Sequence, residues 1–108
     1  MIGDLVKVTV DRPLGSEHPV YAFIYPINYG YVEGIMAGDG EFQDVYILGV
    51  SEPVDSFEGE VIAIIHRKDD VEEKWVVAPK GKKFTKEEIE KETWFQEQWF
   101  ISKIIMEN

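Results

Sequence analysis

The stretch Tyr25–Val50, YPINYGYVEGIMAGDGEFQDVYILGV, holds two extended segments on either side of an acidic loop framed by glycine. Tyr29–Met36 is the first, and Gly30 and Gly34 interrupt it where a bulge or a close approach of two backbones is expected. Asp44–Val50, DVYILGV, is the second; its β-branched and aromatic content suits a buried strand. Gly38 and Gly40 bracket Asp39, with Glu41 following. A doubly wound sheet would need helices between such strands, and no helical period separates these two.

The flanks continue the pattern. Leu5, Val6, Val8 and Val10 form an opening strand that stops at Arg12-Pro13, because proline has no N–H to give to a ladder. Leu14–Pro19 reads as a loop and Tyr21–Tyr25 as another extended segment. Val61–Arg67, VIAIIHR, is a clearer strand, and Lys74–Ala78, KWVVA, pairs with it as a hairpin whose connection carries Asp69, Asp70, Glu72 and Glu73. A helix starts near Thr85, whose side chain can cap the Glu88 amide while Glu88 reaches back and Phe84 staples against Ile89. Ile89, Thr93, Gln96 and Phe100 share one helix face, with Phe95 and Trp99 adjoining it, so the helix should pack on the sheet. Short strands followed by one late helix predict a small closed or partly closed β-barrel.

With 108 residues, positions 1–108 read as a single domain. No apolar run approaches the length of a membrane span. Twenty-one acids against eleven bases give a net charge of −10, which opposes attraction to nucleic acid and to anionic membranes, so neither is an expected partner. The absence of cysteine removes disulfides and thiolate metal sites. Met1-Ile2-Gly3 is broken at once by Asp4 and offers no signal peptide, so the expected location is cytoplasmic.

Tyr25–Asp44 brings Tyr25, Tyr29, Asn28 and the carboxylates of Asp39, Glu41 and Asp44 around tight turns. Oxygen-only acids suit a hard cation such as Mg²⁺, which neutralises phosphate charge and acidifies water; the chemistry suggested is metal-assisted phosphoryl transfer to water. Asp39 and Asp44, five positions apart across Gly40, could reach one cation while Glu41 points at its water. Taken alone, an Asp-Gly pair is a common turn former with solvated side chains.

The motif Y-P-x-N-Y-G-Y followed by D-G-E-F-Q-D-V resembles the signature region of soluble family I inorganic pyrophosphatases. The resemblance spans roughly Val6 to Pro79 and implies a mainly β fold, a five-stranded barrel of the oligonucleotide/oligosaccharide-binding type with a C-terminal helix. It implies Mg²⁺-dependent hydrolysis of inorganic pyrophosphate to two phosphates. Asp39 and Asp44 fall on metal-ligand positions, and Glu41 falls where the family has an acid that deprotonates the attacking water. In KDDVEEKWVVAP, Glu72 stands in for a metal-binding Asp, either Asp69 or Asp70 matches another, and Lys74 matches a phosphate-binding lysine. Tyr29 matches the tyrosine near the substrate. The resemblance also implies assembly into homo-oligomers, and Trp94 and Trp99 would suit a subunit contact.

Upstream, VTVDRPLGSEHPVYA resembles the family's first strand and turn, with Asp11 at the acid position. An alternative alignment puts Asp11-Arg12 on an Asp-Arg pair whose arginine binds phosphate. This chain departs from the pattern in having Glu41 for the middle Asp, in lacking the hairpin that usually carries that arginine, and in lacking a Tyr-Lys pair in the last helix. Arg12, His18, His66, Arg67 and Lys68 are the basic residues left to compensate, each read individually as a surface residue. Two other functions stay open: a phosphate- or nucleotide-binding module that has lost efficient catalysis, and a hydrolase for a phosphoanhydride bearing an organic group.

Overall fold

The computed structural model describes residues 2–38, 40–68 and 72–107. Five strands close a barrel: β1 (Leu5–Arg12), β2 (Asn28–Met36), β3 (Phe42–Ile47), β5 (Glu73–Ala78) and β4 (Ser56–Arg67), which pairs back on β1. All neighbours are antiparallel except β3 and β5, where Tyr46 lies level with Val76 in a parallel pair. Helix α1 (Lys86–Glu97) follows β5, and β6 (Ser102–Ile105) then pairs with β4. Strand β4 is twelve residues long and shares one edge between two partners. Ser56–Glu60 meet β1, and Ile64–Arg67 meet β6.

The period of two sorts the core into two layers. Val8, Val10, Val32, Val45, Ile47, Val61, Ile64, Trp75 and Val77 come from all five barrel strands and fill the interior. Alternate residues point outward, and Tyr29, Tyr46, Leu48, Ala63, Ile65 and Val76 pack there with Ile89 of α1 and Ile104 of β6. Sheet covered on both faces needs near-continuous apolar strands. Accordingly β5 is buried from Lys74 to Ala78.

Gly30 is required where β1 and β2 close together, because a Cβ there would lie 2.0 Å from the Thr9 carbonyl oxygen. The predicted interruption at Gly34 is also present: its φ is +87° and the β2–β3 register shifts between Val32 and Met36. The helix begins as expected, with Thr85 accepting from the Glu88 N–H and Glu88 from the Thr85 N–H.

Two elements differ from the sequence reading. Tyr21–Tyr25 is not a strand; residues 16–25 fold back on themselves through a single bridge between Glu17 and Ile24. His18 Nδ1 accepts the N–H groups of both Val20 and Tyr21 at 3.0 Å, closing a turn that turns these two residues away from any ladder. Ser102–Ile105 is the strand that sequence did not single out, and it makes the sheet six-stranded while leaving the barrel five-stranded. Among the described residues no helix is long and apolar enough to cross a membrane.

Candidate functional site

The outward face of the barrel places the candidate residues by register. Tyr29 lies opposite Tyr46, Tyr31 opposite Asp44, and Lys74 opposite Ile65 across their ladders, so Tyr29, Asp44 and Lys74 project from the same side of the sheet. With Arg12, at the end of β1 just after a register shift, they line one cavity of about 670 Å³. The helix contributes Gln96, and Trp99 and Phe100 follow it at the rim.

Lys74 is buried and its ammonium bridges two carboxylates, at 2.6 Å from Asp44 Oδ2 and 3.0 Å from Glu72 Oε1. Desolvation works against that charge, but Tyr29 and Asp44 outweigh it and hold the lysine above its usual value of 10.5. The ammonium also lies 5.7 Å from the Tyr29 ring centroid. Burial pushes the Tyr29 hydroxyl well above its usual 10.0, so this phenol stays protonated and available as a donor.

A second layer supports the first. Arg67 donates to Glu72 Oε2 at 2.7 Å and reaches Glu97 through Nε at 3.2 Å and Nη2 at 2.7 Å. Tyr46 donates to the same Glu97 at 2.5 Å, Gln96 donates to Tyr46, and the Arg67 guanidinium lies 3.6 Å from the Phe100 ring centroid. Burial alone would depress the Arg67 charge, but the hydrogen bond and charge of Glu97 raise its pKa above the usual arginine value. The result is one polar chain, Tyr46–Glu97–Arg67–Glu72–Lys74–Asp44, running from α1 through β4 to the cavity. Every buried side-chain nitrogen or oxygen among the described residues has a partner.

Asp11 also lines the cavity. Its carboxyl is held above the usual 3.8, chiefly by loss of solvent and further by the Asp44 charge, against the lowering effect of Arg12. Tyr25 is buried in the same wall and reaches the Arg12 side chain through its hydroxyl.

Of the residues singled out in sequence, Tyr29, Lys74, Asp44 and Arg12 meet at the cavity, and Glu72 joins them through Lys74. Glu41 sits in the exposed turn where Ala37 donates to its carbonyl, outside the cavity lining. Asp39, Asp69 and Asp70 lie outside the described residues. Asn28 is structural: it is fully buried, accepts from Leu14 N–H at 2.9 Å, and donates to the Glu52 carbonyl at 2.9 Å. His66 pairs with Glu73, away from the lining. Arg67, read from sequence as a surface residue, is only 3% exposed, because Glu97 and Glu72 neutralise it inside the fold. Glu97 and Tyr46 carried no sequence signal beyond position. The Glu97 spacing to Ile89 and Thr93, one buried helix face, was the clue available.

The acids here are oxygen donors only, the type that a hard divalent cation takes. Asp11, Asp44, Glu72 and Glu97 outnumber Arg12, Arg67 and Lys74 by one charge, so the described part of the site is short of positive charge for a phosphate anion. Donor type and charge therefore fit a divalent cation. Among the described residues, however, no three His, Cys, Asp or Glu side chains come together as an ion-binding group.

The fold is that of solved inorganic pyrophosphatases. The structure of inorganic pyrophosphatase from Ehrlichia chaffeensis superimposes with a TM-score of 0.74 at 15% identity, covering 98% of this chain and 88% of that one. The Coxiella burnetii inorganic pyrophosphatase gives 0.69 at 16% identity, covering 98% and 86%. The Helicobacter pylori enzyme gives 0.68 at 15% identity, covering 95% and 83%. No family model and no curated protein matches the sequence.

Proposed function

We propose that this protein hydrolyses inorganic pyrophosphate to two phosphates in a Mg²⁺-dependent reaction at the cavity between β1–β5 and α1. The observation that carries the reading is the convergence of Tyr29, Asp44, Lys74 and Arg12 on one cavity in a fold shared with solved pyrophosphatases. Asp44, Glu72, Asp39 and one of Asp69 or Asp70 are the proposed cation ligands. A bound Mg²⁺ would neutralise phosphate charge and make water more acidic.

The chain's own groups do the rest. Lys74 keeps its charge throughout neutral pH and offers it to a phosphate oxygen, while the neutral Tyr29 hydroxyl donates a hydrogen bond. Arg12 supplies a planar fork from β1, level with Tyr29 in the neighbouring strand. Because β4 and α1 clamp Lys74 through Glu72, Arg67 and Glu97, the ammonium is preorganised rather than recruited, which is where electrostatic stabilisation of the transition state gains most. The oxygen of water forms a bond to one phosphorus as the bond from that phosphorus to the bridging oxygen breaks, and the bridging oxygen leaves with the second phosphate. The proton lost by water goes to a carboxylate. Glu41 is the acid assigned by the resemblance, and Asp11, which lines the cavity with a raised pKa, joins it as an acceptor.

Reaction in ¹⁸O-enriched water tests this. One labelled oxygen is expected among the two product phosphates, chelator should abolish release, and the acceptor should be whichever of Glu41→Gln and Asp11→Asn lowers kcat by roughly 10²-fold or more. Binding of pyrophosphate without label uptake at any Mg²⁺ concentration would leave a binding module and end the enzyme reading.

A further inference from the structure

The cavity is larger and more aromatic than two linked phosphates require. Its volume of about 670 Å³ falls in the range that encloses a drug-sized organic ligand, roughly 300–1,000 Å³. Its charged lining comprises Asp11, Arg12, Asp44, Arg67 and Lys74, with Lys74 2.6 Å from Asp44. Most of the remaining lining residues carry rings. Tyr21 and Trp99 line the cavity while remaining 66% and 70% exposed, and His18 lies 5.0 Å from Tyr21.

A run of rings leads from Lys74 to His18. Tyr29, beside the Lys74 ammonium, lies 5.7 Å from Tyr25, and the His18 ring lies nearly parallel to Tyr25 at 6.1 Å. Two ring steps therefore separate the ring beside the Lys74 ammonium from the imidazole, a span that leaves room for a sugar. Large rings left exposed in a concave site are what a planar ligand stacks on. His18 cannot use Nδ1 to read a ligand, since that atom accepts the Val20 and Tyr21 N–H groups, so its ring is fixed as a flat surface.

We infer that the site takes a nucleoside diphosphate, with the phosphates at Lys74 and Arg12 and the base against His18, Tyr21 and Trp99. This rests on the proposed phosphoanhydride hydrolysis and names a substrate class beyond pyrophosphate. Water's oxygen bonds to the β-phosphorus, the bond from that phosphorus to the bridging oxygen breaks, and the bridging oxygen keeps the electron pair as part of the nucleoside monophosphate. Orthophosphate is the other product, and the proton from water passes to the carboxylate that serves pyrophosphate hydrolysis. Recognition by stacking is tolerant of the base, with purines favoured by their larger face.

The test compares ADP with pyrophosphate, both with Mg²⁺, on wild type and on a Tyr21→Ala/Trp99→Ala double variant, by titration calorimetry and phosphate release. Both side chains are largely exposed, so the variant should fold. Wild type is expected to bind ADP and release phosphate from it, and the variant to weaken ADP binding about tenfold while pyrophosphate binding changes less than twofold. Handling of pyrophosphate without ADP binding, or ADP binding unchanged in the variant, overturns the inference and leaves the pyrophosphatase reading intact. Failure of both ligands overturns both readings, whereas ADP turnover without pyrophosphate turnover upholds this one against the other. A variant whose only change is loss of a concentration-dependent dimer, seen by sedimentation, identifies the aromatic rim as a subunit contact and overturns the inference.

Discussion

Asp11 and Lys74 illustrate how single residues divide stability and chemistry between them. Lys74 is raised, so its contribution to stability is complete below the usual lysine value and is lost only as pH climbs through the raised one. Across neutral pH it is constant. Asp11 has the opposite sign: a carboxyl held above 3.8 in the folded chain disfavours folding once it ionises. Asp11→Asn is therefore expected to raise the melting temperature at pH 7, with the gain shrinking as pH falls through the raised carboxyl range and vanishing below 3.8, while phosphate release slows. Melting curves of the two proteins from pH 3 to pH 7 check this, and a gain that persists at pH 3 would contradict it. Tyr29, Asp44 and Lys74 were legible through the motifs that carry the resemblance, and the register of β2, β3 and β5 turns them to one face. Arg67 and Glu97 were not, because a lone charge in a strand or helix reads as solvent-facing until its partner, thirty positions away, is known.

At the scale of elements, the strands with strong local patterns were readable and those defined by partners were not. The Thr85–Glu88 capping box and the apolar runs of β4 and β5 are local signals. Strand β6 has four residues and exists because β4 leaves an edge beyond the end of β1. The segment 16–25 has strand-like residues, yet the His18 turn and the ring contacts of Phe23 with Phe95 and Tyr25 hold it as a folded loop over the site. Gly30 shows the reverse case, a local signal with a long-range cause. Adding a Cβ would meet the Thr9 carbonyl oxygen at 2.0 Å and its carbon at 2.8 Å, both backbone atoms that cannot move without opening the β1–β2 ladder. Gly30→Ala should cost about 3 kcal/mol, the upper part of the overpacking range, and lower the melting temperature by roughly 10–20 °C. A loss below about 0.5 kcal/mol in denaturant titration would show that the barrel does not close as tightly as described.

The whole molecule concentrates its buried charge on one side of a barrel whose interior is otherwise apolar. Breaking a buried ion pair by removing one partner commonly costs about 3–5 kcal/mol, so a small domain keeps such a chain of charges at a real risk to its stability. Here the chain connects α1 to the cavity and fixes Lys74 between two acids, an arrangement that supports the phosphate-binding role proposed for Lys74. The remaining excess of negative charge is the reason the proposed activity is expected to need an added cation. The most direct measurement is phosphate release from pyrophosphate across a Mg²⁺ titration, run in parallel on wild type and Asp44→Asn. Wild type should show a saturable rise from no activity without Mg²⁺, and the variant a curve displaced to higher Mg²⁺ with a lower plateau. Absence of release at every Mg²⁺ concentration, or superimposable curves for the two proteins, would contradict the account.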